Sequence, residues 1–148
     1  MTATPEPQIS LITLAVADVA ASTRFYGKLG FRPSEKAGKE GEVSFFALGS
    51  GVVLALYDRT HYCKDADLPE MRAKGGGIML ARNLPSPLAV DRFVAAFVAA
   101  GGRLQKAPEK THWGGYCGYV ADPDGHLWEV AHNPHWPLSD KGLVTLPE

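Results

Sequence analysis

The chain has 148 residues, of which 45% are hydrophobic and 21% charged. This apolar content is enough to offset chain entropy, so a disordered chain is excluded and a globular protein is expected. Lys and Arg number 15 against 16 Asp and Glu, a formal net charge of −1, and neither a basic excess nor a basic run marks a nucleic-acid binder.

Residues 9–17 form a short, almost unbroken apolar run, read as a strand buried on both faces. Asp18 stops the run as an N-cap, and Val19, Ser22, Phe25, Tyr26 and Leu29 follow at helical spacing. Gly30 suits a left-handed C-cap, so a helix is predicted over 18–30. A short strand is predicted over 31–35. Two more, over 43–48 and 52–57, are joined by Gly49-Ser50-Gly51 as a hairpin. Residues 58–75 are polar and poorly periodic; they read as a linker with a short helical turn near 68–72. A strand is then predicted over 77–82, and a helix capped by Ser86, with Pro87 at its first position and Val90, Phe93, Val94, Phe97 and Val98 as its apolar stripe. Gly101-Gly102 ends that helix. Strands are predicted over 103–106, 116–121 and 127–132, with a loop over 108–113. The last two strands are joined by the turn residues Asp122-Pro123-Asp124-Gly125. A tail containing Pro134, Trp136 and Pro137 follows.

The order strand, helix, three strands therefore occurs twice, with a period of about 70 residues, too long for a solenoid. The predicted fold class is α+β: two βαβββ modules whose uncovered sheet faces enclose a shared cleft. The expected layout is a single domain with module 1 over 9–58, linker 59–75, module 2 over 76–132 and tail 133–148. No secretory signal is expected from residues 1–8, and no apolar run reaches the roughly 20 residues of a membrane span. Cys63 and Cys117 lie in no CxxC pattern, so a disulfide scaffold is not expected and a reduced, cytoplasmic setting is the simplest reading.

Two blocks carry a resemblance: Val16-Ala17-Asp18-Val19 with the stretch from Arg24 to Phe31 (RFYGKLGF), and the stretch from Gly118 to Val130 (GYVADPDGHLWEV). In this order, with the second helix between them, the sequence resembles the vicinal-oxygen-chelate superfamily, which includes glyoxalase I, extradiol dioxygenases and bleomycin-resistance proteins. The resemblance implies paired βαβββ units around a cavity, often in a dimer. In metal-dependent members it implies ligands at positions that here fall at Leu11, Leu54 or Ala55, Gly77 and Glu129. Of these only Glu129 carries a donor side chain, whereas divalent metals need several N or O donors. No metal or other cofactor is therefore expected.

Strand alternation places Leu127, Glu129 and Ala131 toward the cleft and Trp128 and Val130 toward the helix. By the same rule Leu11, Thr13 and Ala15 face the cleft from the first strand, and Gly77, Met79 and Ala81 from the fifth. This is an apolar floor with one carboxylate, suited to a mostly apolar or aromatic ligand with one polar anchor. Glu129 is either that anchor or a structurally paired carboxylate. Trp113 and one of Tyr116 and Tyr119 are expected at the mouth, and Tyr57 and Phe45 are further cleft or core residues. The candidate ligand-binding set is Leu11, Thr13, Tyr57, Gly77, Met79, Trp113, Tyr116 and Glu129, with Glu129 as candidate base or polar anchor. Among the histidines, His126 is expected at a solvent-facing hairpin tip and His132 away from the cleft, with His61 and His112 in loops over it. Cys117 reads as a small buried hydrophobe.

The leading functional reading is a metal-independent protein that binds a small organic ligand in the cleft as a homodimer, with no nucleic-acid or membrane partner. The alternative is a small-molecule lyase, isomerase or dioxygenase using Glu129 as base, or as part of an altered metal site with His61 or His112. A third is a cleft that serves no ligand.

Overall fold

The computed structural model describes residues 7–69 and 78–147. In chain order the elements are β1 (Leu11–Val16), α1 (Val19–Lys28), β2 (Val43–Ala47), β3 (Val53–Asp58), α2 (Arg59–Asp65), β4 (Met79–Asn83), α3 (Pro87–Ala99), β5 (Arg103–Lys110), β6 (Tyr116–Ala121) and β7 (Leu127–His132). They form two sheets, of order β1-β3-β2 and β4-β7-β6-β5. In each, the first strand pairs in parallel with the last, and antiparallel pairs complete the sheet. The sheets are curved and do not close, in keeping with paired βαβββ modules.

The helix ends form where local chemistry places them. Asp18 accepts the Ala21 N–H at 2.9 Å to start α1. Gly30, at φ 94°, ends it, and the Phe31 N–H closes back on the Tyr26 carbonyl at 3.1 Å. Ser86 Oγ accepts the Ala89 N–H at 3.1 Å to start α3.

Four elements depart from expectation. The strand expected over 31–35 is reduced to an isolated bridge, Pro33 to Phe46, with the Ser34 N–H on the Phe45 carbonyl at 2.8 Å. Pro33 has no N–H with which to extend the ladder. The strand expected over 103–106 runs on to Lys110 through two register shifts, the second of which, between Lys106 and Glu109, absorbs Pro108 on an edge strand. The helical turn comes earlier, as α2, because Asp58 caps it by accepting the His61 N–H at 3.2 Å. Residues 68 and 69 are not helical, and 70–72 lie outside the described residues. Lastly, β1 is buried only in its C-terminal half, because it ends its sheet and its second face is open.

One apolar core serves both modules. It joins Leu14, Val16, Phe25, Tyr26, Phe46, Leu54 and Leu56 to Val90, Phe97, Val120, Trp128 and Val130. The Phe25 and Phe97 rings meet edge to face at 5.1 Å. At its centre the Tyr26 hydroxyl donates to Asp122 Oδ2 at 2.7 Å and accepts Trp128 Nε1–H at 3.2 Å. Asp122 Oδ1 also accepts the Asp124 and His126 N–H groups, at 3.0 and 2.8 Å. This buried carboxylate therefore has the partners burial demands. Burial still pushes its pKa up, against the Tyr26 hydrogen bond that pulls it down. The β6–β7 turn reaches across to β1: Asp124 Oδ1 accepts the Ala17 N–H at 2.8 Å, and His126 Nε2 lies 2.9 Å from the Ala15 carbonyl. His126 thus stitches the modules together instead of standing in solvent.

Candidate functional site

The registers decide which side chains share the open face of the second sheet. Ala81, Glu129 and Tyr119 lie side by side across β4, β7 and β6, flanked by Met79 with Leu127 and by Ala131 with Cys117. The alternate residues Val120, Trp128 and Val130 are in the core. Glu129 therefore stands on a mostly apolar strand face. Its Oε2 accepts the Tyr119 hydroxyl at 3.3 Å, and Cys117 Sγ lies 3.8 Å from the same hydroxyl. The Cys117 contact first, then burial and the negative charge of Glu129, push Tyr119 up to about 12. A thiol, a phenol and a carboxylate thus form a short chain in which the phenol keeps its proton at neutral pH. Glu129 Oε1 has no hydrogen-bond partner among the described residues.

On the first sheet Thr13, Ala55, Tyr57, Val43 and Phe45 share the open face, and with Glu42 they line a depression of about 350 Å³. Leu54 points the other way, into the core. At the rim, His61 Nδ1 lies 2.7 Å from Asp58 and Nε2 lies 3.1 Å from Glu42. The His61 hydrogen bond holds the Asp58 carboxyl below the usual carboxylate range. Tyr57 hydrogen-bonds Asp65, which pushes its phenol up to about 12.

Residues of both modules line a cavity of about 730 Å³, among them Ala17, Arg59, Arg103, Gln105, Asp124 and Leu127. Arg59 Nη2 approaches Asp124 Oδ1 at 3.4 Å. Leu127, at the start of β7, lines this cavity and is two residues before Glu129 on the same strand. Arg59, Arg103 and Gln105 were not visible as site residues in the sequence, because no local pattern brings the start of α2 to the start of β5 and the β6–β7 turn.

The other candidates divide. Leu11, Thr13, Tyr57, Met79 and Glu129 are on open sheet faces. Gly77 lies outside the described residues. Tyr116 is on the side of its sheet opposite to Glu129, where its hydroxyl donates to Asp91 of α3 at 2.7 Å; the tyrosine beside Glu129 is Tyr119. Trp113 folds over its own loop: a Cβ on Gly115 would lie 1.8 Å from the Trp113 ring.

The donor set does not fit the metal of the superfamily. At the corresponding positions Leu11, Leu54 and Ala55 offer no side-chain donor, and Glu129 stands with Tyr119. Among the described residues no group of three or more His, Cys, Asp or Glu is placed to hold an ion. His61 is engaged with Asp58 and Glu42, and His112 lies in the β5–β6 connection.

Known proteins agree with this architecture. The sequence profile of the Glyoxalase/Bleomycin resistance protein/Dioxygenase superfamily matches residues 8–130. No curated protein matches the chain. Among solved structures it is similar to a glyoxalase-related enzyme from Fulvimarina pelagi, with 37% identity over 95% of this chain and 99% of that one, at a TM-score of 0.85. It is also similar to a glyoxalase/bleomycin resistance protein/dioxygenase from Nocardioides, with 28% identity over 88% and 85% of the two chains, at a TM-score of 0.70. A lactoylglutathione lyase from Agrobacterium tumefaciens shares 25% identity over 91% and 100%, at a TM-score of 0.68. With its paired modules, shared core and this match over most of its length, the chain belongs to the Glyoxalase/Bleomycin resistance protein/Dioxygenase superfamily.

Proposed function

We propose that the protein binds a small, mostly apolar organic ligand on the open face of β4, β7 and β6, without the metal of its superfamily. The observation that carries this reading is the Glu129–Tyr119 pair on an otherwise apolar surface of Met79, Ala81, Leu127 and Ala131. One carboxylate oxygen is held by Tyr119, and the other is available to an O–H or N–H of the ligand. The ligand's apolar body lies along the neighbouring strands, toward Leu127 and the cavity between the modules. Closed over by another surface, an apolar face with few polar groups has the make-up of the usual small-molecule sites.

The face is closed by a second copy of the chain. β1 and β4 each end a sheet, and Ile9, Leu11, Ile78 and Met79 on or beside them are 66%, 49%, 76% and 48% exposed. An apolar rim beside unpaired strand edges favours association, most simply with two-fold symmetry. The free thiols of Cys63 and Cys117 suit a reducing, cytoplasmic setting.

The test starts from a library of small aromatic and aliphatic compounds screened by thermal shift, with hits measured by calorimetry. Glu129→Gln keeps the shape and removes the charge, so a hit bearing a donor is expected to bind about tenfold to a hundredfold more weakly. Dialysis against EDTA is expected to leave wild-type affinity unchanged. Hits that bind both proteins equally, or that require added divalent metal, overturn the reading.

A further inference from the structure

Behind the sheet that carries Glu129 is a separate cavity of about 600 Å³, lined by Pro87, Lys110, Gly115, Tyr116, His132 and Pro134 among others. Tyr116 and His132 are register partners on the α3 side of β6 and β7, the side opposite to the Tyr119–Glu129 pair. We propose that this cavity is a second binding site, for a planar aromatic carboxylate that carries a ring hydroxyl.

Its shape comes from rigid parts. The Tyr116 hydroxyl is committed to Asp91 at 2.7 Å, which fixes the ring as a wall. The two prolines add flat apolar surface. The loop opposite is held by the Thr111 N–H on the Gly115 carbonyl and the Gly115 N–H on Thr111 Oγ1, both at 3.0 Å. Flat apolar walls at this volume suit an aromatic ring.

Two polar groups specify what the ring carries. His132 Nδ1 lies 3.0 Å from the Leu84 carbonyl. A carbonyl only accepts, so Nδ1 carries the proton, and a neutral ring then holds its lone pair on Nε2. Nε2 has no partner among the described residues, and it can accept an O–H from the ligand. Lys110 forms no ion pair among the described residues, and its ammonium is the counter-charge for a carboxylate.

The probe is 4-hydroxybenzoate, titrated into ¹⁵N-labelled full-length protein, with 4-hydroxybenzamide and 4-methoxybenzoate as controls. Saturable shifts are expected at the amides of Gly114, Gly115, Tyr116 and His132. Each control, lacking the charge or the donor, is expected to bind about tenfold more weakly. Lys110→Gln, a surface change that leaves the fold intact, is expected to abolish the preference for acid over amide. His132→Phe is expected to abolish the preference for hydroxyl over methoxyl. The proposal is overturned if these amides do not move, if the shifts fall at Tyr119 and Glu129 instead, or if acid and amide bind the wild type equally.

Discussion

Tyr26 is the residue on which the two modules most depend. Burial, followed by the charge and hydrogen bond of Asp122, raises its phenol far above the ordinary value, so it acts only as a neutral donor and acceptor. Tyr26→Phe leaves Asp122 Oδ2 and Trp128 Nε1 without this partner. The expected loss is about 1–3 kcal/mol, read by urea unfolding at neutral pH. The loss also has a sign with pH. Asp122 already has a raised folded pKa, so its ionisation weakens the fold as pH rises above the unfolded value of about 3.9. The Tyr26 hydrogen bond is the largest of the interactions that pull that pKa down, ahead of those of His126, and its removal raises it further. The difference between wild type and Tyr26→Phe is therefore expected to grow from about pH 4 to pH 7. A difference that stays level across this range would show that Asp122 is not the group left uncompensated.

At the level of elements, β5 shows how an unfavourable residue is accommodated. Pro108 sits at an irregularity opposite β6, close over Gly118, where a Cβ would lie 2.8 Å from the proline ring and 2.9 Å from its nitrogen. Gly118→Ala must push these strands apart and is expected to cost about 1–3 kcal/mol by denaturant unfolding; an unchanged midpoint would mean that β5 shifts freely. The start of α2 is electrostatic as well as geometric. Asp58 is held below its usual pKa by His61, so its contribution is present above an unfolded value of about 3.9 and lost as pH falls through the folded one. Asn caps a helix equally well but carries no charge. Asp58→Asn is expected to be less stable than wild type near pH 6, with the gap closing below about pH 4. A gap independent of pH would assign the effect to capping alone.

The whole molecule is two half-structures sharing one core, with apolar strand edges at the rim. Sedimentation at micromolar concentration is expected to report a dimer of two 15.9 kDa chains. Ile78→Lys places a charge on the most exposed of the rim residues named above and is expected to shift this toward monomer. A wild-type monomer at that concentration would remove the second copy from the proposed site. It would leave the Glu129→Gln comparison as a separate test.

Features set by short-range chemistry could be read from the sequence. The caps at Asp18 and Ser86, the turn at 122–125 and the alternation that separates Glu129 from Trp128 depend on neighbours a few residues away. The same alternation showed that Tyr116 and Tyr119 face opposite ways. Which of them joins Glu129 awaited the β6–β7 register, because one residue of slip exchanges the faces. Pro33 and Pro108 upset strand lengths because an edge strand accommodates a bulge at one site and not at the other. Distance along the chain hid the remaining features. His61 meets Glu42, Arg59 meets Asp124, and His126 meets the Ala15 carbonyl 111 residues away. No periodicity encodes such meetings. The first follows from the packing of α2 on the first sheet, and the other two from how two amphipathic modules bury their apolar faces against each other, so that side chains meet according to packing and not sequence order.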